Sequence, residues 1–309
     1  MAAIFVYSEN DAIARQLLAA GLELKATMQI PLCVLTTNAG ESDNFIHSGA
    51  EKVFVLNAPG AWSEGLAKAI ADLAGSEQAS VLLVGGTLRG KDLAAKVAAL
   101  LKAGLVSDAQ QLKFDKGSLQ TTRLLYAGLA LCEETVAIPA VITVPPRTFA
   151  EPAASADRQG VVQTIEAAPD TRVVISNMSP IKSEGVDITA ASRLVSVGRG
   201  FQHKEDLELA RELAKTIAAE IACSRPIAEE CHWLPIERYI GISGQQVKPE
   251  LYLAVGISGQ VQHVVGIRSS KFIVAVNSDE RAPIFEAADY GIVGDLYQVL
   301  PLLAKALKH

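Results

Sequence analysis

Short apolar runs alternate with longer amphipathic stretches through the first hundred residues. Ala3–Tyr7 and Leu32–Thr36 are apolar runs of strand length, and residues 11–25 between them repeat apolar positions at helical spacing. The same alternation continues through residues 52–56, 62–73, 80–84 and 91–102. Strands that alternate with helices favour parallel pairing, because each helix returns the chain to the same edge of the sheet. The pattern therefore predicts a parallel-sheet α/β domain.

The pattern changes after residue 102, where strand-like runs follow one another without long helices between them. Such a series favours neighbouring antiparallel strands, so we predict an antiparallel extension of the sheet. The predicted strands of this extension are 111–114, 119–126 and 136–144. Residues 161–165 and 172–177 are predicted as further strands, after a surface connection over 151–160.

A second apolar region begins with the strand Leu194–Val197 and the turn Gly198-Arg199-Gly200. Apolar residues at helical spacing then predict a helix over 204–222, and strands and a final helix follow it. Residues 187–192 read as a linker between the two regions. We predict an N-terminal α/β domain over residues 1–190 and a C-terminal doubly wound domain over residues 191–309. The length of 309 residues agrees with two domains of roughly 150 residues each.

Composition and charge exclude some classes of function. Half of the residues are apolar and a fifth are charged, which is typical of a globular protein. The 28 Lys and Arg residues against 34 Asp and Glu residues give a formal net charge of -6, so no general positive field attracts nucleic acid. Apolar strand residues begin almost at Met1, and no uncharged run has the length and apolarity of a membrane span. We expect a cytoplasmic protein without nucleic acid binding or direct membrane insertion.

Several catalytic and metal-binding motifs are missing. Neither GxGxxG nor Walker A spacing follows the first strand, which disfavours NAD binding and ATP hydrolysis. The GISGQ segments at 241–245 and 256–260 do not complete the GxSxG motif of a nucleophile elbow. The four cysteines lack zinc-ribbon or CxxC spacing, and Cys231-His232 has no second ligand pair. We therefore expect structural thiols, no metal site and no catalytic nucleophile.

Three turns follow strands of the C-terminal region: GRG at 198–200, GISG at 256–259 and NSD at 277–279. Ligands of open parallel sheets bind beyond the carboxyl ends of the strands, where such turns expose backbone N–H groups. Arg199 adds a cation suited to a phosphate, while Ser258 and Asn277 add hydrogen-bonding groups. Together the turns predict a nucleotide-like ligand, although each one alone also fits a tight structural connection.

Individual candidate residues also have structural interpretations. His263 lies near the start of a predicted helix, where the dipole favours anions, but a buried structural histidine fits the same position. Arg225 precedes a proline and fits an ion pair with Glu229 or Glu230. Asp295 fits the cap of the last helix, which does not prevent it from contacting a ligand.

The segment from Gly241 to His263, GISGQQVKPELYLAVGISGQVQH, closely resembles the FAD-binding segment of electron transfer flavoprotein alpha subunits. The segment APIFEAADYGIVGD at 282–295 resembles the same family's C-terminal signature. Gly198-Arg199-Gly200 and Ser224-Arg225 match its other flavin-site motifs in order and approximate spacing. The resemblance is strong over these C-terminal residues and looser over the N-terminal domain. It implies a FAD site in the C-terminal domain.

The resemblance also implies which residues surround the FAD. Arg225 would lie against the isoalloxazine ring, and the Ser243 hydroxyl would reach flavin N5. His263 would sit near flavin O2 and stabilise negative charge on the reduced ring. A cation and hydrogen-bond donors at that end of the ring raise the first reduction potential. The implied cofactor-binding residues are Arg199, Ser224, Arg225, Gly241, Ile242, Ser243, Ser258, Gln262, His263, Asn277, Asp295 and Leu296.

The sequence departs from the family's usual pattern at several positions. Ile242-Ser243 stands where the family often has Gln-Thr, so the hydroxyl remains but an amide is lost. Glu280 and Leu129 stand where Pro and Asn are frequent. These changes bear on the flavin potential and on partner choice. The chain is also similar to the FixB-like bacterial alpha subunits, which implies a link to acyl-CoA or carnitine metabolism.

A heterodimer is a further implication of the resemblance. The expected partner is an electron transfer flavoprotein beta subunit, with a flavoprotein dehydrogenase as electron donor and a quinone oxidoreductase or a reductase as acceptor. The chain would then be an electron carrier rather than a classical enzyme. A nucleotide-binding regulatory or scaffold subunit on the same fold is the main alternative. An NAD-dependent oxidoreductase is a weaker one, since GxGxxG is missing.

Overall fold

The computed structural model of the protein describes residues 2–58, 63–128, 130–167, 177 and 187–308. The chain divides into two compact units, Met1–Ser179 and Pro180–His309. The domain boundary at residue 190 stays a prediction, because few residues between 168 and 186 are described. Leu129 and residues 172–176 of a predicted strand also lie outside the described residues.

Unit 1 alternates strands and helices up to residue 106 and then consists mainly of strands. Its elements are β1 (Ala3–Tyr7), α1 (Asp11–Met28), β2 (Leu32–Thr36), α2 (Ser42–His47), β3 (Lys52–Asn57), α3 (Ser63–Ser76), β4 (Ala79–Gly85), α4 (Leu88–Leu101), β5 (Gly104–Val106), β6 (Ala109–Asp115), β7 (Ser118–Leu125), β8 (Ala130–Ala137), β9 (Ala140–Val144) and β10 (Val161–Glu166).

The first strand and helix show how the local sequence forms these elements. All five residues of β1 are buried, as expected for an apolar strand with covered faces. The Asn10 side chain caps α1 by accepting a hydrogen bond from the Ala12 N–H at 3.0 Å. The helix buries Leu17 and Leu24 on one face, and its C-cap residue Gln29 takes the left-handed conformation.

Seven parallel strands form the main sheet of unit 1 in the order β10-β3-β2-β1-β4-β9-β5, which confirms the predicted parallel sheet. The antiparallel strands β6-β7-β8 form a sheet of their own rather than continuing the parallel one. The predicted strand 136–144 is therefore two elements. β8 alternates in exposure, whereas all five residues of β9 are buried, as a strand between two parallel neighbours requires.

Unit 2 contains five strands and four helices among its described residues. They are β11 (Arg193–Val197), α5 (Leu207–Thr216), β12 (Glu220–Cys223), β13 (Leu251–Val255), α6 (Val261–Ile267), β14 (Phe272–Asn277), α7 (Ile284–Ala287), β15 (Tyr290–Val293) and α8 (Leu296–Ala306). Short helical turns at Pro226–Glu230 and Ile236–Arg238 connect β12 to β13.

The sheet of unit 2 is parallel, in the order β12-β11-β13-β14-β15, and has helices on both faces. Val195 and Val197 of β11 pack with α5 and α8, whereas Leu194 packs into the core on the other face, near α6 and α7. Successive strand residues point to opposite faces, so both core layers come from one strand. The predicted doubly wound fold is confirmed.

The predicted helix over 204–222 is too long. In the structure α5 ends at Thr216, and residues 220–223 form the edge strand β12. Ala218 takes a left-handed backbone conformation, with φ of 50°, at the point where the chain turns back toward the sheet. Glycine usually marks such a helix end, so an alanine there leaves no stop signal in the sequence.

Candidate functional site

A cleft opens at the carboxyl ends of the strands in unit 2. The helices that follow the neighbouring strands β11 and β13 cover opposite faces of the sheet, and ligands of open α/β sheets bind at such a switch point. The loops after β11, β12, β13 and β14, together with the start of α8, line a cleft of about 1180 Å³. Pockets for drug-sized ligands measure about 300–1,000 Å³, so this cleft is large enough for a dinucleotide.

Gly200 and Gly256 bring the loops after β11 and β13 into contact. The Gly200 N–H donates to the Gly256 carbonyl at 2.9 Å. A Cβ on Gly200 would lie 2.6 Å from the Gly256 Cα, and a Cβ on Gly256 would lie 2.8 Å from the Gly200 Cα. Gly256 also has φ of +62°, in the left-handed region that favours glycine. The backbones of the two turns are therefore in direct contact at Gly200 and Gly256. The exposed Arg199 is the middle residue of the first turn.

Ser224 and Arg225 follow β12 at the edge of the cleft. Ser224 is 7% exposed, and its Oγ has no hydrogen-bond partner among the described residues. A buried hydroxyl without a partner is uncommon and fits a site that a polar ligand completes. Arg225 is exposed, and its Nε lies 2.5 Å from the Glu229 carboxylate, which raises the pKa of the guanidinium. The ion pair considered from the sequence is therefore present.

A closed turn from Tyr239 to Gln245 carries further candidate residues. The Gln245 N–H donates to the Tyr239 carbonyl at 2.9 Å, and the Ile242 N–H donates to the Gln262 carbonyl at 2.9 Å. Ser243 is exposed, and its Oγ lies 2.7 Å from the Tyr239 hydroxyl. Ile242 is also exposed. The turn is thus closed by its backbone and presents a hydroxyl and an apolar side chain to the cleft.

His263 is buried in the wall of the cleft, and both of its ring nitrogens have partners. Nδ1 lies 3.1 Å from the Ile240 carbonyl oxygen, and Nε2 lies 2.8 Å from the Tyr252 hydroxyl. A carbonyl only accepts hydrogen bonds, so Nδ1 carries the proton and Nε2 accepts from the phenol. Burial lowers the pKa of His263 to about 4, against the smaller opposing effect of the Ile240 carbonyl.

The role expected of His263, to stabilise negative charge on a reduced flavin, stays a prediction. The imidazole is neutral near pH 7, because removing it from water disfavours its charged form. It therefore supplies no positive charge to the cleft, and its ring N–H is already donated to the Ile240 carbonyl. The exposed cations at the cleft are Arg199 and Arg225.

Asn277 and Asp295 organise the last two loops of the cleft. Asn277 Nδ2 donates to the Ile257 carbonyl at 2.9 Å, and its Oδ1 accepts from the Asp279 N–H at 3.0 Å. The Asp295 side chain caps α8 by accepting from the Tyr297 N–H at 3.0 Å, as the structural interpretation of that residue predicted. Both side chains thus hold loops in place, and both line the cleft.

All twelve predicted cofactor-binding residues line this one cleft, although they come from segments spread over about a hundred residues. Their contact with a cofactor stays a prediction. They are Arg199, Ser224, Arg225, Gly241, Ile242, Ser243, Ser258, Gln262, His263, Asn277, Asp295 and Leu296.

Two aromatic residues that shape the site were not predicted. Tyr239 lines the cleft, and Tyr252 lies behind His263. Tyr252 occupies the middle of β13, where an aromatic residue is typical of any core strand. Tyr239 lies two residues before the GISG motif at 241–244, so it falls outside the segment that resembles the family. Neither position therefore carries a signal that distinguishes a site residue from a core residue.

The groups at the cleft fit FAD. Glycine backbone and an exposed arginine suit phosphates, the unpartnered Ser224 hydroxyl suits a polar ring or ribose, and the exposed Ile242 suits an apolar ring face. These features define a two-unit α/β protein with a dinucleotide-sized cleft in its C-terminal unit.

Comparison with known proteins gives the family. Residues 5–170 match the family described as electron transfer flavoprotein domain, and residues 187–268 match the electron transfer flavoprotein FAD-binding domain. The chain belongs to the electron transfer flavoprotein alpha-subunit family, within its FixB-like bacterial group.

The most similar curated relatives include several proteins with the name Protein FixB. The chain is 43% identical to the one from Escherichia coli O157:H7 over 275 residues, which is 87% of this chain and 88% of that protein. The Protein FixB of Salmonella typhi is 42% identical over 275 residues, which again cover 87% of this chain and 88% of that protein. Protein FixB of Escherichia coli strain 55989 is 47% identical over 229 residues, 74% of this chain and 73% of that protein.

Among the described helices, none has both the length and the apolar character needed to cross a bilayer. Within the same part of the chain, no three His, Cys, Asp or Glu side chains are grouped to hold a metal ion.

Cys33 and Cys223 are buried thiols, and burial raises their pKa values to about 11 and about 12, whereas Cys132 and Cys231 are partly exposed.

Proposed function

We propose that this chain carries FAD and relays electrons as the alpha subunit of a heterodimer with an electron transfer flavoprotein beta subunit. Its donor is a flavoprotein dehydrogenase, and its acceptor is a quinone oxidoreductase or a reductase. The observation that supports this most directly is the convergence of all twelve candidate residues on one dinucleotide-sized cleft. The chain works as an electron carrier in the cytoplasm, and acyl-CoA or carnitine metabolism is the expected pathway.

In this proposal each group at the cleft has a binding or positioning role. Arg199 and the turn around Gly200 hold the phosphates, because a cation and exposed backbone N–H groups suit an anion. Arg225 would lie against the isoalloxazine ring, and the Ser243 hydroxyl would donate to flavin N5. The bound flavin supplies the electron-accepting chemistry. The chain itself needs no nucleophile or general acid, because its task is to orient the ring and set its potential.

The neutral His263 gives the proposal a specific electrostatic form. Arg225 and hydrogen-bond donors would stabilise negative charge on the reduced ring, and His263 would add a positive charge only where the charge of the ring raises the pKa of the imidazole from about 4. As a neutral group, His263 packs in the wall of the cleft and holds the Ile240 carbonyl, to which its Nδ1–H donates.

The test is the visible spectrum of the chain, co-expressed with its beta subunit, during stepwise anaerobic reduction. We expect a yellow complex with bound FAD that takes up electrons one at a time. Mixing the reduced complex with candidate quinone oxidoreductases, and the oxidised complex with candidate acyl-CoA dehydrogenases, then identifies the partners. A colourless complex that does not bind added FAD would contradict the proposal and favour a nucleotide-binding scaffold on the same fold.

A further inference from the structure

Tyr239 connects the core of unit 2 to the exposed hydroxyl of Ser243. Tyr239 is 4% exposed, whereas Ser243 is exposed at the cleft, and their hydroxyl oxygens lie 2.7 Å apart. Among the described residues, this is the only hydrogen bond of either hydroxyl. A buried aromatic residue is thus the single protein partner of a polar group at the ligand cleft.

The position of the Tyr239 ring is fixed by its surroundings. A Cβ on Gly244 would lie 2.3 Å from Tyr239 Cε2, so the turn passes directly over the ring. The backbone on either side is also held, because the Gln245 N–H donates to the Tyr239 carbonyl and the Ile240 N–H donates to the Cys223 carbonyl, both at 2.9 Å. The phenol oxygen therefore has little freedom to move away from Ser243.

The direction of the hydrogen bond follows from the two hydroxyls. A phenol is more acidic than an alcohol and is the better donor. When Tyr239 donates to Ser243 Oγ, the serine uses one lone pair and keeps its own O–H for another acceptor. The bond also polarises the serine O–H, since linked hydrogen bonds strengthen one another.

We propose that Tyr239 is a positioning residue for Ser243, because it donates to Ser243 Oγ and so directs the serine proton to the acceptor nitrogen of a flavin in the cleft. This inference rests on the proposed function. It deepens that function by assigning control of the first reduction potential to a buried residue that lies behind the ligand-facing one.

The experiment uses the complex of this chain with its beta subunit and a double-mutant cycle of Tyr239→Phe and Ser243→Ala. Phenylalanine keeps the ring that packs against Gly244 and removes only the hydroxyl. The control is Tyr290→Phe, because Tyr290 is 66% exposed and does not line the cleft. The readouts are the spectrum of the bound flavin and its first reduction potential, with the apparent melting temperature recorded for every variant.

We expect Tyr239→Phe to lower the equilibrium constant for uptake of the first electron by the flavin about two- to tenfold, as the loss of one net hydrogen bond implies. For one electron this change lowers the first reduction potential by about 20 to 60 mV. Ser243→Ala shifts the potential in the same direction by at least as much. The double variant matches Ser243→Ala alone, because Tyr239 acts only through Ser243. The control leaves the potential unchanged.

The inference is overturned if Tyr239→Phe leaves the potential unchanged while Ser243→Ala shifts it, or if the two effects simply add. If Tyr239→Phe does not fold, 3-fluorotyrosine incorporated at position 239 provides the second measurement. Its more acidic phenol is a stronger donor, so the potential rises, and an unchanged potential overturns the inference. A wild-type complex that does not bind FAD contradicts the proposed function instead, which distinguishes the two failures.

Discussion

The Tyr252 hydroxyl lies 2.8 Å from Nε2 of His263, and the Ile240 carbonyl on the other side of the ring decides which of the two groups donates. A carbonyl only accepts, so Nδ1 carries the proton of the neutral ring and Nε2 accepts from the phenol. Tyr252 is fully buried, and burial raises the pKa of its phenol, so the phenol keeps the proton that it donates. A neutral histidine with a single tautomer is therefore built into the wall of the cleft.

The first prediction concerns the titration of His263. Its pKa is about 4 in the folded chain against an ordinary value of 6.5, so the unfolded chain binds the proton first as the pH falls. The contribution of the neutral His263 to the free energy of unfolding is fully present above about pH 6.5 and is lost progressively as the pH falls toward 4. We expect this group to reduce the free energy of unfolding by about 2 kcal/mol between pH 7 and pH 5, measured by urea titration.

The same histidine is observed directly by NMR. The ring resonance that disappears in His263→Gln should show no titration between pH 8 and about pH 5. The matched control is His203→Gln, because His203 is exposed and lies outside the cleft lining. A His263 resonance that titrates near pH 6.5 would show that the ring is solvated and would contradict the buried tautomer.

The second prediction is that Tyr252→Phe destabilises the protein by about 1–3 kcal/mol. The substitution keeps the ring but leaves the buried Nε2 of His263 without its donor, and an unsatisfied buried group retains the cost of its desolvation. Thermal and urea unfolding measure the loss. Tyr290→Phe is the control, because Tyr290 is 66% exposed and should change stability little. Equal stability of the two variants would show that the hydrogen bond contributes nothing.

Local and periodic signals explain why much of the fold was predictable. The capping residue Asn10 and the fully buried strand β1 leave clear marks in the sequence, namely a polar side chain before an amphipathic stretch and an unbroken apolar run. The end of α5 leaves none, because Ala218 takes a left-handed conformation that the turn back to β12 imposes. Residues 220–223 therefore extend the helical pattern although they pair with β11 as a strand.

The cleft was predictable to a similar, partial extent. Gly256 directly follows the apolar strand β13 and Asn277 ends the apolar strand β14, and parallel pairing alone brings such positions to one edge of the sheet. The Tyr239–Ser243 and Tyr252–His263 contacts depend on how a turn and a short helix pack over that edge. Tertiary packing leaves no periodic trace, so the sequence located the cleft but not the residues that orient its polar groups.

The third prediction tests the close approach of the two glycine turns. Gly256→Ala places a Cβ 2.8 Å from the Gly200 Cα at a φ of +62°, so the loops must separate. We expect a loss of stability of more than about 1 kcal/mol and a marked loss of FAD affinity, measured by thermal unfolding and by fluorescence titration with FAD.

The matched control for that substitution is Gly75→Ala. Gly75 is exposed in α3, and a Cβ there would meet no atom within 4 Å. Alanine is the better helix former, so stability should stay equal or rise by up to about 1 kcal/mol. If Gly256→Ala is as harmless as this control, the two turns have room to spare and the close backbone surface is not required for binding.

The fourth prediction concerns the ion pair of Arg225 and Glu229 and rests on the proposed flavin site. The Glu229 carboxylate offsets the charge of Arg225, so Glu229→Gln should raise the first reduction potential of the bound flavin, while Arg225→Gln should lower it. Spectroelectrochemical titration of the complex measures both shifts. Arg225 is largely exposed, so the shifts should shrink at about 1 M salt, where the screening length is about 3 Å.

Glu208→Gln is the control for charge alone. Glu208 pairs with Arg211 on α5 outside the cleft lining, so this variant makes the same change in net charge without touching the site. Its potential should equal that of the unmodified complex. If Glu208→Gln and Glu229→Gln shift the potential equally, the flavin responds to net charge rather than to Arg225. If the carboxylate acts by offsetting the arginine, removing the two opposite charges must shift the potential in opposite directions. A shift of Arg225→Gln and Glu229→Gln in the same direction would therefore contradict the prediction.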